Sequence, residues 1–93
     1  MNKKKLKIAR KKIDQLDRKI FNLIKQRTKI VLHMMNIKRT RSQIVDHKRI
    51  NVILKSIKKR SLKEKVDAKT TVRIWKSMIW SYVDLQRRMF KKK

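Results

Sequence analysis

The chain reads as an all-α protein of three helices, long, short and long, completed by a second copy of itself. Three features carry that expectation. The sequence contains neither glycine nor proline, so nothing in it breaks a helix, and tight hairpins that call for glycine are disfavoured. Its apolar residues recur every three or four positions, which is the period of one helix face. It has 93 residues and no cysteine. A lone domain of that size buries only about 60–65% of the surface of its unfolded chain, without disulfides to help. Association is the remaining remedy.

The first helix is expected over about residues 5–39, with Leu6, Ile13, Leu16, Ile20, Leu23, Ile24, Ile30, Val31, Met34 and Ile37 forming one stripe. It would be about 50 Å long. Ser42 and Gln43 suit a loop. A shorter helix follows over about 46–59, carrying Ile50, Ile53, Leu54 and Ile57; the charged stretch 58–65, interrupted by Ser61, reads as a turn. Asp67 can cap a third helix over about 69–90, whose stripe is Val72, Trp75, Met78, Ile79, Tyr82, Leu85, Met89 and Phe90. The whole is one domain, 1–93, with basic tails at 1–4 and 91–93. Much of the first stripe would stay bare in a single chain, and bare stripes of that size usually have a partner. Dimerisation through the first helix is expected.

Several classes of function are excluded. Without glycine there is no phosphate loop and no dinucleotide fingerprint. His33 and His47 lie fourteen residues apart without companion ligands, so no metal site and no cofactor are expected. The longest run free of charged residues is 30–37, too short to span a membrane. The basic start lacks the apolar block of a secretory signal, and the expected compartment is the cytoplasm.

Lysine and arginine number 31 against 6 aspartates and glutamates, a net charge of +25. Such a chain attracts anions in general; the placement of the charges is more telling. Arg27 lies seven residues after Ile20 and four after Leu23, in the middle of the stripe, and Lys38 lies eleven residues further on the same face. Arg10 and Arg49 border the apolar faces of their helices. Burying a charge without a partner costs several kcal/mol, and six acids are few to share. An external anion is the better partner. Gln86, four after Tyr82 and three before Met89, faces inward with an amide that needs hydrogen bonds.

The ordered set Arg10-x-x-Ile13-Asp14-x-x-Asp17, Ile24-x-x-Arg27, Lys38, Asp46-x-x-Arg49 and Gln86 resembles the all-helical chorismate mutases over nearly the whole chain. The resemblance implies an intertwined homodimer that converts chorismate, a dianion, to prephenate by a [3,3] rearrangement. It implies that Arg10 reaches the partner's site, that Arg10 and Arg27 bind the carboxylates, and that Lys38 and Gln86 donate to the ether oxygen. Asp46, with its backbone, and Arg49 would lie near the ring hydroxyl. Two positions depart from the pattern. Ile50 stands where the mutases usually carry glutamate, and Tyr82 where they often carry serine. Both departures are seen in the related isochorismate-pyruvate lyases, which makes that activity the second expectation. A third, from another class, is a non-catalytic nucleic-acid-binding protein, suggested by basic runs at 3–5, 58–60 and 91–93. With no nucleic-acid motif and five aromatic residues, only weak, salt-dependent and nonspecific binding of that kind is expected.

Overall fold

A computed structural model of the protein describes residues 2–91. They form helix α1 (Lys3–Ile37), a single 3-10 turn (Arg41–Gln43), helix α2 (His47–Glu64) and helix α3 (Ala68–Met89). No strand occurs among the described residues. The chain divides into two compact units, one up to Val31 and one from Leu32 onward, with α1 running through the boundary.

The first unit is the N-terminal part of α1. Its stripe is bare: Ile13, Leu16, Ile20, Leu23 and Ile30 are each more than half exposed. The helix begins at Lys3, inside the expected tail at 1–4. At the other tail, Lys91 follows α3 without regular structure; Met1, Lys92 and Lys93 lie outside the described residues.

In the second unit α2 packs on α3, with a three-residue link between them. The link starts with Lys65, which takes the left-handed conformation at φ 58° and ψ 39°. Glycine usually fills such a place, and a residue with a Cβ incurs about 1 kcal/mol there. Asp67 then caps α3 as the sequence predicts: its Oδ2 accepts from Thr70 N at 2.9 Å and from Thr70 Oγ1 at 2.6 Å.

The expected turn over 58–65 is not there. α2 continues to Glu64 because Ser61, rather than interrupting the helix, is buried inside it. Its hydroxyl lies 2.7 Å from the Ile57 carbonyl oxygen and 2.6 Å from Thr71 Oγ1 on α3. The charged neighbours Lys58, Lys59, Arg60 and Lys63 stay exposed, and Arg60 pairs with Glu64 one turn on. Helix α1, in turn, stops at Ile37 rather than 39. Gln43 Oε1 accepts from the backbone N–H groups of Arg39 (2.7 Å) and Thr40 (3.1 Å), turning the chain aside.

The core sits under that turn. Met35, Ile44, Val83 and Phe90 form a buried cluster, with Leu32 and Val45 packed against it. Met35 and not Met34 faces inward, since Met34 is about half exposed. Ile50, Ile79 and Tyr82 are buried as well. No described helix is long and apolar enough to cross a membrane.

Candidate active site

Lys38 directly follows α1, and Gln86 lies one turn before the end of α3. The structure joins them: Lys38 Nζ donates to Gln86 Oε1 at 3.0 Å. Gln86 is buried and its Nε2 donates to the Tyr82 carbonyl at 3.2 Å, which fixes the amide's orientation. Its second amide hydrogen is used by neither bond.

Lys38 is half-buried. Loss of water lowers its pKa from the usual lysine value, and the carboxylate of Asp46 acts in the opposite direction. Asp46 is the N-cap of α2, where its Oδ1 accepts from Arg49 N at 2.9 Å. One carboxylate thus both starts the helix and helps keep Lys38 cationic. The side chain of Arg49 is exposed. Ile50 and Tyr82 are buried, so the position expected to differ from the mutase pattern on α2 offers hydrocarbon and no acceptor.

Arg27 and Arg10 belong to the first unit. Arg27 is half-buried on the α1 stripe and Arg10 is exposed on the same helix. Of the eight residues singled out in the sequence, the structure joins Lys38 to Gln86 and Gln86 to the Tyr82 carbonyl, and Asp46, which caps α2 at Arg49 N, acts on the lysine.

Among the described residues, hollows lie elsewhere as well. An open groove of about 710 Å³ runs along α3 past Arg73, Lys76, Trp80 and Arg88, and a smaller one of about 310 Å³ lies beside Ser61 and Trp75. Neither is lined by Lys38 or Gln86. The larger is a groove lined by a single helix, and the Arg88–Asp84 ion pair on it is exposed. The sequence marks Gln43 only as loop, although Thr40-x-x-Gln43 has the spacing of a capping box.

The family model described as chorismate mutase type II matches residues 9–87. The chain belongs to that family. The match runs from before Arg10 to beyond Gln86, so all eight residues lie within it. A search of curated proteins and a search of solved structures found no match. At the level of the family, a type II chorismate mutase is an isomerase whose substrate is chorismate.

Proposed function

We propose that this chain is a chorismate mutase, converting chorismate to prephenate as part of aromatic amino acid biosynthesis in the cytoplasm. The observation that carries the reading is the Lys38–Gln86 hydrogen bond within a chain of this family. The rearrangement breaks one C–O bond and forms one C–C bond in a single molecule, so it needs neither a nucleophile nor an electron carrier. What it needs is a folded reactive conformer and donors where charge grows on the breaking ether oxygen.

In this reading Lys38 is one donor and the unused N–H of Gln86 is the other. Arg27 holds one carboxylate in bidentate fashion, suited to its planar fork. Arg10 of the partner subunit holds the second, in an intertwined homodimer whose contact is the bare stripe of α1. Asp46 with its backbone lies at the ring hydroxyl, and Arg49 supports that corner. No cofactor or metal takes part.

The buried Ile50 and Tyr82 favour a second reading, an isochorismate-pyruvate lyase. An isoleucine cannot accept a hydrogen bond from a ring hydroxyl, and the two dianions differ in where that hydroxyl sits. Incubation with each dianion separates the readings. Prephenate from chorismate supports the mutase, whereas pyruvate and salicylate from isochorismate support the lyase. For either, Arg27→Ala and Lys38→Ala abolish turnover while helicity and dimerisation persist. Full activity in both variants would remove the site.

A further inference from the structure

We infer that Arg41 is a positioning residue: its bond to the last turn of α3 holds Lys38 against Gln86. This rests on the reading of Lys38 and Gln86 as the donors of the site.

Two side chains reach from the segment between α1 and α2 to neighbouring residues of α3. Lys38 Nζ donates to Gln86 Oε1 at 3.0 Å, and Arg41 Nη2 donates to the main-chain oxygen of Arg87 at 2.7 Å. α3 ends at Met89, and Phe90 N donates to the Gln86 carbonyl at 2.8 Å. The Arg87 carbonyl therefore belongs to the final turn, whose acceptors have no further helical donors. A guanidinium there supplies a donor and faces the negative end of the helix.

The arginine is presented by a closed turn rather than a slack chain. Gln43 Oε1 takes the N–H groups of Arg39 and Thr40, and Ile44 N donates to the Arg41 carbonyl at 3.1 Å. Ile44 is buried in the cluster with Met35, Val83 and Phe90, and Val45 packs against it. The turn is thus seated from below by apolar contacts and tied from its side by Arg41. Lys38 lies three residues before that tie, on a long stem with many alternative rotamers. With the turn fixed to residue 87, the ammonium stays opposite the amide at residue 86. Without it, the turn after Lys38 can lift; the Lys38 backbone stays on α1 through its N–H to the Met35 carbonyl at 3.1 Å, but its stem is freed and the ammonium exchanges the amide oxygen for water.

Arg41→Met removes the donor and keeps the stem, while Arg41→Lys keeps a donor. The readouts are kcat and KM for chorismate and the hydrogen-exchange lifetime of the Lys38 ammonium, followed by NMR in the ligand-free protein. Arg41→Met is expected to lower kcat about three- to tenfold with KM within about twofold, because the donor acts on the transition state. It also shortens the Lys38 lifetime, and Arg41→Lys restores most of both. If the methionine variant loses helicity, Arg41→Gln, with a shorter donor, is measured in its place. A Lys38 lifetime equal to wild type in a folded variant lacking the arginine donor overturns the inference, even where Lys38→Ala has abolished turnover. Full turnover in Lys38→Ala would instead overturn the reading of the site, and the ammonium lifetime would still decide what Arg41 does.

Discussion

Replacing Gln86 by leucine separates the chemical use of the amide from its contribution to the fold. The side chain is buried and makes two bonds, one from Lys38 Nζ and one to the Tyr82 carbonyl. The Tyr82 carbonyl keeps its ordinary helical partner, so only the Lys38 bond is a net loss. A hydrogen bond to a charged group contributes about 1.5–3 kcal/mol when buried. Lys38 is only half-buried and can turn to water, which brings the loss to about 1 kcal/mol after screening. Leucine also buries more hydrocarbon than an amide and offsets part of that. Stability should therefore change by no more than about 1 kcal/mol, a few degrees in Tm for a domain of this size. Turnover should fall far more, because deleting one donor to a developing oxyanion lowers kcat by about 10²–10³-fold. The assay is chorismate disappearance with chromatographic identification of the product, beside thermal unfolding followed by circular dichroism. A folded Gln86→Leu protein with kcat within threefold of wild type would show that the amide is only structural.

Turnover should decline on the alkaline side at a pH below the usual lysine pKa of 10.5, because burial lowers Lys38 while Asp46 opposes the shift. Asp46→Asn keeps the cap, since asparagine caps as well as aspartate, and moves that limb lower still; an unmoved limb in the pH–rate profile contradicts the coupling. The same shift sets a stability trend. With the folded pKa below the unfolded one, the unfolded chain binds more protons between the two values, so the Lys38 contribution to urea stability rises with pH across that window and is least favourable below it. Asp67→Ala removes the acceptor for Thr70 N and Oγ1 and should lower Tm at neutral pH. Since those bonds depress the Asp67 pKa, the Tm gap should be full above the usual carboxylate value and close as pH falls through the lowered one; a gap that persists in strong acid would contradict this. Leu16→Asp with Ile20→Asp places two charges on the bare stripe of α1, forfeiting about 1.5–3 kcal/mol of burial per side chain in the proposed dimer. Sedimentation should then report a monomer without turnover, and an unchanged dimer mass would show that association uses another face.

Much of the fold was legible because helix signals are local. The apolar period marked all three helices, and Asp67 marked the start of the third. What escaped was decided by contacts between elements. Ser61 looks like a helix breaker in one dimension, but its hydroxyl reaches the Ile57 carbonyl oxygen and Thr71 Oγ1, and no local rule reveals that Thr71 will lie opposite. Ile44 and Val45 sit in a stretch without period, so nothing marked them as core. Their burial under the turn also settles which of Met34 and Met35 faces inward, since the side packed by the turn selects the residue. The candidate site was legible in the same uneven way. Lys38 and Gln86 each announced themselves as polar groups on an apolar face, and they meet. Arg41 is one basic residue among 31, and only the fold shows that it ends on the last turn of α3.

The six acids show why a chain of charge +25 can leave a cation available for chemistry. Asp46 and Asp67 are engaged as helix caps, each accepting a backbone N–H in the first turn. Glu64 and Asp84 pair with arginines one turn away on exposed helix faces. Asp14 and Asp17 are exposed on α1 in the first unit. The hydrogen-bond partner of Lys38 is a neutral amide, which orients the ammonium without cancelling its charge; Asp46 tempers the cost of burial through its field. A carboxylate in place of Gln86 would neutralise the lysine and leave little field for an incoming dianion. An amide keeps the field and contributes an N–H of its own. Gln86→Glu therefore tests the charge rather than the shape: at neutral pH it should weaken both chorismate binding and turnover, and acidification that protonates the new carboxyl should recover part of each.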